Sequence, residues 1–299
     1  MDFINLNRRF RLIDAEKPFE LTDWEAFGID RGLDWPALLK RPRVIVLAEA
    51  SAGKTAEFKG QRDLLRDDGE AAFYLTVETL ASSGLDRSLS RDDALLFAEW
   101  RRSAATGWFF LDSVDEARIN KKDIETALNV FARDLGLAYD RARVLISCRG
   151  SVWTGEEDLA LVHRTLRPET PRQPRAPVDR NAALFASSRT ATTETKVEDG
   201  PRGTLPDITV VGLTKLTAAQ RLSYLTAAGI EDPESFEAAL VAHNLVQFAE
   251  RPGDLSTLVR YWAKARRFDG LVQMTELGIT ERLTELSKTR REPRPCRHH

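Results

Sequence analysis

The residues best able to do chemistry lie at three places along the chain, each at the end of an apolar run. The first is the string Ala48, Glu49, Ala50, Ser51, Ala52, Gly53, Lys54 and Thr55, which follows VIVL directly and leads into a stretch with helical period. Small residues here let successive backbone N–H groups converge on an anion, and the helix that follows aims its positive end at the same point. Lys54 adds a full charge and Thr55 a hydroxyl oxygen suited to magnesium. The string fits the phosphate-binding pattern GxxxxGK(S/T) except at its first position, where Ala48 stands in place of glycine. Alanine serves there if the turn keeps φ negative. Gly53 is expected to be intolerant of any Cβ, because its place in the loop calls for a left-handed backbone. The competing reading is an ordinary strand-to-helix turn, and the strand, loop and helix context disfavours it.

The second place is WFFLDSVDEAR, where Asp112 sits at the carboxyl end of an apolar run, the edge at which open α/β sheets bind ligands. A carboxylate there is costly without a cation. Asp112 is therefore expected to hold magnesium through its water shell, with Asp115 and Glu116 just beyond, able to reach an attacking water. Either acid could face the γ-phosphate. A solvated acidic turn is the alternative, and it leaves the apolar run before it unexplained. The third place is RARVLISCRG, which ends in Ser147, Cys148 and Arg149. A cation beside the acidic strand end could contact the γ-phosphate and report its loss, whereas an arginine after a strand is otherwise a surface residue.

These groups need a scaffold that brings several strand ends together. Short β-branched or aromatic runs recur at Val44 to Ala48, Ala72 to Val77, Trp108 to Leu111, Val144 to Cys148 and Ile208 to Val211, the form of buried parallel strands. Between them, Thr55 to Arg66, Arg91 to Arg102 and Lys122 to Leu135 carry helical spacing and supply the crossovers that parallel strands require. The expected class is α/β: a mainly parallel five-stranded sheet sandwiched by helices, followed by an all-helical lid.

The expected organisation is an N-terminal approach segment over 1–42, the core over 43–216, the lid over 217–290 and a disordered tail over 291–299. The approach segment packs the aromatics Phe19, Trp24, Phe27 and Trp35 onto the core. Residues 171–206, rich in Pro, Arg, Ser and Thr, read as a mobile insertion. Thr217 and Gln220 have capping-box spacing ahead of the lid.

In combination, AEASAGKT, LDSVDEAR and LISCR resemble the NACHT group of the STAND NTPases, which are related to AAA+ proteins. The specific part is the acid, small, x, acid, acid form of Asp112, Ser113, Val114, Asp115 and Glu116. The resemblance covers roughly 40–290 and implies a P-loop NTPase core that binds ATP with Mg2+ and hydrolyses it slowly as a switch. It implies signalling, with anti-phage defence the setting of the bacterial members, and self-association or a partner protein on activation. Within the lid, Pro252 resembles the proline by which such lids touch adenine. The family form is often Gly-x-Pro, whereas Gly253 follows the proline here, and a helix-start proline is the alternative. Family members carry an effector domain before the NTPase and a sensor behind it. Neither fits in 299 residues, so a fragment or a stand-alone module working with a partner is expected.

Composition narrows the remaining classes. A formal net charge of −2 creates no global field for a polyanion, so nucleic-acid binding is not suggested. No apolar run approaches the ~20 residues of a membrane helix, and a cytoplasmic setting is expected. Two cysteines, Cys148 and Cys296, offer neither a disulfide framework nor zinc spacing. His163 and His243 read as surface or packing residues. The competing function is a non-hydrolysing, nucleotide-dependent interaction module, motivated by Ala48. A third is a motor ATPase acting on nucleic acid or protein, against which the neutral charge weighs.

Overall fold

The computed structural model describes residues 3–14, 32–113, 121–166 and 208–268. In chain order the first elements are β1 (Phe10–Leu12), α1 (Trp35–Leu39), β2 (Arg43–Ala48), α2 (Lys54–Asp67) and β3 (Ala71–Thr76). Three helices follow, α3 (Val77–Ser83), α4 (Leu85–Ser88) and α5 (Arg91–Arg102), and then β4 (Gly107–Asp112), α6 (Lys121–Leu135), β5 (Ala142–Arg149), α7 (Glu156–Thr165) and β6 (Ile208–Leu213). The described residues end with α8 (Ala218–Ala227), α9 (Pro233–Ala242), α10 (Val246–Ala249) and α11 (Pro252–Ala265).

The five apolar runs form five parallel strands, in the order β6-β2-β5-β4-β3. To these the structure adds a strand that the sequence does not announce: β1 pairs antiparallel with β6 on the outer edge. Three residues carry too little periodicity to show as a strand, so this part of the 1–42 segment belongs to the sheet rather than to an approach.

Both faces of the sheet are covered, and the period of two along each strand decides which residue goes where. Val44, Val46 and Ala48 point to one side, where they pack with Phe10, Trp35, Phe58 of α2 and Phe110. Ile45 and Leu47 point to the other, against Phe73, Phe109 and Leu111 and, from the covering helices, Leu80, Phe97 and Phe131. Burial on both sides explains why the strands read as unbroken apolar runs. Val77, expected as the last residue of β3, instead opens α3, because the Thr76 hydroxyl accepts from the Thr79 N–H and caps a helix there.

Helices α8 to α11 make a separate apolar cluster around Phe236, Leu240, Leu255 and Trp262. Thr217 and Gln220 form the expected capping box at the start of α8. The N-terminal segment joins both bodies, with Leu6 in the helical cluster and Phe10 under the sheet. The expected insertion at 171–206, the end of the expected lid at 269–290, the tail at 291–299 and the aromatics Phe19, Trp24 and Phe27 lie outside the described residues.

Candidate functional site

The loop from Glu49 to Gly53 leaves the carboxyl end of β2, near the middle of the sheet, and turns into α2 through two left-handed residues, Ser51 at φ 64° and Gly53 at φ 92°. Gly53 is the N-cap of α2, and its backbone is the one expected to exclude a Cβ. Ala48 is buried as the last residue of β2, and its φ is not positive, so a methyl group fits where the usual pattern has glycine. Lys54 is 7% exposed and folds back inside the loop, donating from Nζ to the Ala48 carbonyl at 2.7 Å and to the Glu49 carbonyl at 3.4 Å. The ammonium thus lies among the carbonyls at the mouth of β2, where the start of α2 points its N–H groups.

Asp112, 0% exposed, ends β4 two strands away, with β5 between. Three hydroxyls converge on its carboxylate. Thr55 Oγ1 donates to Oδ2 at 2.6 Å and Tyr74 Oη to the same oxygen at 2.8 Å, while Ser147 Oγ donates to Oδ1. Ser147 also accepts from the Ser113 N–H at 3.1 Å, so β5 fastens the end of β4. Burial, followed by the negative charge of Asp112, raises the Tyr74 pKa well above the usual phenol value, so that side chain stays a neutral donor. The donor set is hard oxygen, and the Thr55 hydroxyl spends its proton on Asp112 and keeps lone pairs for a cation. These residues fit magnesium.

Arg149 lies directly across from Ala48 in the ladder between β2 and β5, and its Nε is 3.9 Å from Glu49 Oε2. Glu49 accepts from the Ser151 N–H at 3.1 Å as well. The arginine is thereby placed at the rim of the loop, against an acid of the loop itself. Ala50 and Ser51 are exposed, and Ala52 is buried. Asp115 and Glu116 lie outside the described residues.

The opposite wall of the loop comes from segments far away in sequence. Arg8 is 1% exposed and donates from Nη1 to the Ala52 carbonyl at 3.1 Å and from Nη2 to the Thr214 carbonyl. Burial lowers the guanidinium's pKa, and the nearby Glu57 carboxylate opposes this. Glu57 is itself pushed up by burial, while the indole N–H of Trp35 (2.8 Å) and the charge of Arg8 pull it down. Helix α11 begins on the loop: the Gly253 N–H donates to the Ser51 carbonyl at 3.0 Å, and a Cβ on Gly53 would meet Pro252 Cγ at 3.3 Å. Pro252 thus touches the loop, which is a contact distinct from the adenine contact the resemblance implies.

Beside this seam a cavity of about 450 Å³ opens between Arg8, Glu49, Ala52, Leu213, Thr214 and Phe248. That is the size of a small-ligand site. The sequence reading missed Arg8, Tyr74, Thr214 and Phe248, and none of them belongs to a string with a recognisable spacing.

His163 lies on α7 and His243 at the end of α9, where its ring packs near Phe268. No group of three metal-ligating side chains occurs among the described residues. Cys148 is half-buried on β5 against the apolar core. No described helix is long and apolar enough to cross a membrane.

No protein-family model matches the chain. No curated protein matches it either. Among solved structures, the replication initiator DnaA bound to AMPPCP and single-stranded DNA is similar at a TM-score of 0.42 and 12% identity, over 83% of this chain and 63% of that one. AMPPCP-bound DnaA from Aquifex aeolicus is similar at a TM-score of 0.38 and 11% identity, over 85% of this chain and 65% of that one. The chain spans less than two thirds of either, and likenesses this low assign neither ligand nor partner. The parallel sheet, the glycine-lysine-threonine turn from β2 into α2 and the helical lid are those of a P-loop NTPase fold.

Proposed function

We propose that this chain binds ATP or ADP with magnesium on the loop from Ala48 to Thr55 and acts as a nucleotide-controlled signalling switch of the NACHT type. The observation that carries the reading is the 2.6 Å hydrogen bond from Thr55 to Asp112, which joins two motifs 57 residues apart in sequence at the start of α2. Lys54 would turn from the carbonyls of Ala48 and Glu49 to the β- and γ-phosphates, and the amides from Glu49 to Thr55 would cradle them. Thr55 and Asp112 would hold the metal, Thr55 directly and Asp112 through water. Magnesium, when bound, would neutralise charge between the phosphates.

The base would enter the cavity lined by Phe248 and Leu213, with Pro252 at the seam between loop and lid. Arg149 would meet the γ-phosphate after parting from Glu49, and Glu116 or Asp115 would orient the attacking water. Anti-phage defence and self-association on activation belong to the same reading and rest on the resemblance.

Lys54→Ala removes the ammonium that would reach the β- and γ-phosphates. It should weaken ATP affinity at least tenfold, about 1.4 kcal/mol, in calorimetric titrations with magnesium. Unchanged affinity refutes the phosphate-loop assignment. In the same preparation, single-turnover hydrolysis set against equilibrium binding separates a hydrolysing switch from a non-hydrolysing interaction module.

A further inference from the structure

Of the three hydroxyls on Asp112, the proposed function uses only Thr55. Tyr74 reaches the same carboxylate by another route. In the ladder between β3 and β4, Tyr74 lies opposite Phe110, and Thr76 lies opposite Asp112. Tyr74 and Asp112 are therefore diagonal neighbours on one face of the sheet, a separation a long aromatic side chain can cross. The tyrosine ring packs beside the cluster of Phe58 and Phe110, and the Lys59 ammonium stands 5.0 Å from its centroid. The ring is thus held from two sides, and its hydroxyl is delivered to one place.

We propose that Tyr74 is a positioning residue for the metal-holding carboxylate: its hydroxyl pins Oδ2 of Asp112 in the orientation that faces Thr55. The inference rests on the nucleotide reading above. Two donors on Oδ2, at 2.6 and 2.8 Å, together with Ser147 on Oδ1, fix the plane of the carboxylate at both ends. With both acceptor sites of Oδ2 and one of Oδ1 filled, a fixed plane leaves one site on Oδ1 at a constant orientation for a water of the hydrated cation. Without the tyrosine hydroxyl, Oδ2 keeps Thr55 alone, and the carboxylate must be ordered anew each time the metal binds.

The test is the affinity for a fluorescent ATP analogue across a magnesium titration, with a chelator arm, on the full chain and on Tyr74→Phe. Phenylalanine keeps the ring, its packing and the Lys59 contact and removes only the hydroxyl. The inference expects metal-free affinity within about twofold of the unmodified chain and a magnesium midpoint raised about fivefold. An unchanged midpoint in a folded variant overturns it. So does a lowered midpoint, which would make the hydroxyl a competitor of the metal, and so does an equal loss in both arms, the mark of a merely structural role. Tyr74→Leu carries the same expectation if the phenylalanine variant does not fold. An unmodified chain that binds no nucleotide, or binds it without a magnesium response, sinks the nucleotide reading and takes this inference with it.

Discussion

On one wall of the phosphate loop, Thr55, Asp112 and Tyr74 meet where α2 begins and two neighbouring strands end. On the other wall Arg8 and Gly253 hydrogen-bond to the same loop, and Arg8 ties it to the Thr214 carbonyl, 206 residues away in sequence. The first wall is made of hydroxyls around one buried carboxylate. The second is made of backbone carbonyls around one buried guanidinium, with a helix start laid against the turn. A site built this way separates two tasks. The strand-end wall ties β3, β4 and β5 to the start of α2, whereas the lid wall is made by the N-terminal segment and α11, which under the proposed function would register what the loop holds.

The largest expected effect falls on the lid wall. Arg8→Met keeps apolar bulk but leaves the carbonyls of Ala52 and Thr214 without their donors and Glu57 without its nearby cation. Denaturant unfolding should show a loss of about 2–3 kcal/mol. The loss also carries a pH signature. Burial already raises the folded pKa of Glu57, so its favourable contribution is present at low pH and fades as pH rises through that value. Removing Arg8 raises the folded value further. The deficit should therefore be smaller near about pH 4 and larger near about pH 8. A loss below about 0.5 kcal/mol, the range of an ordinary surface change, would erase the contrast between the walls.

A smaller effect belongs to the seam itself. A Cβ on Gly253 would stand 2.9 Å from Ser51 Cβ and 3.1 Å from its Cα and carbonyl oxygen, so in Gly253→Ala the loop at Ser51 and the start of α11 must move apart. The hydrogen bond from the Gly253 N–H to Ser51 should weaken, and the melting curve should report about 1 kcal/mol or less. Retained stability with normal nucleotide affinity would show that the lid does not read the loop through this contact.

The two walls also differ in how far the sequence reveals them. Ala48 to Thr55 and Asp112 are contiguous strings at strand ends, where local pattern fixes both conformation and chemistry, and the expected φ sign at Ala48 and Gly53 follows from sterics alone. Tyr74 is hidden because nothing in AAFYLT distinguishes a core aromatic from one whose hydroxyl crosses to the next strand. Arg8 stands in the run NLNRRF, where two adjacent arginines read as solvated charge. Only tertiary proximity buries the first. Likewise β1 is too short to show a period, while the five parallel strands, buried on both faces, stand out as apolar runs. Asp115 and Glu116, the acids expected to orient water, lie outside the described residues, so their part in the account rests on sequence.

The account stands or falls on a ligand seated between the loop and the lid. Hydrogen–deuterium exchange of the full chain, with and without ATP and magnesium, reads both walls at once. Slowed exchange at the amides of Glu49 to Thr55 together with those of Arg251, Gly253, Asp254 and Leu255 is the expected result. Saturating nucleotide that leaves the exchange of Glu49 to Thr55 unchanged would contradict it.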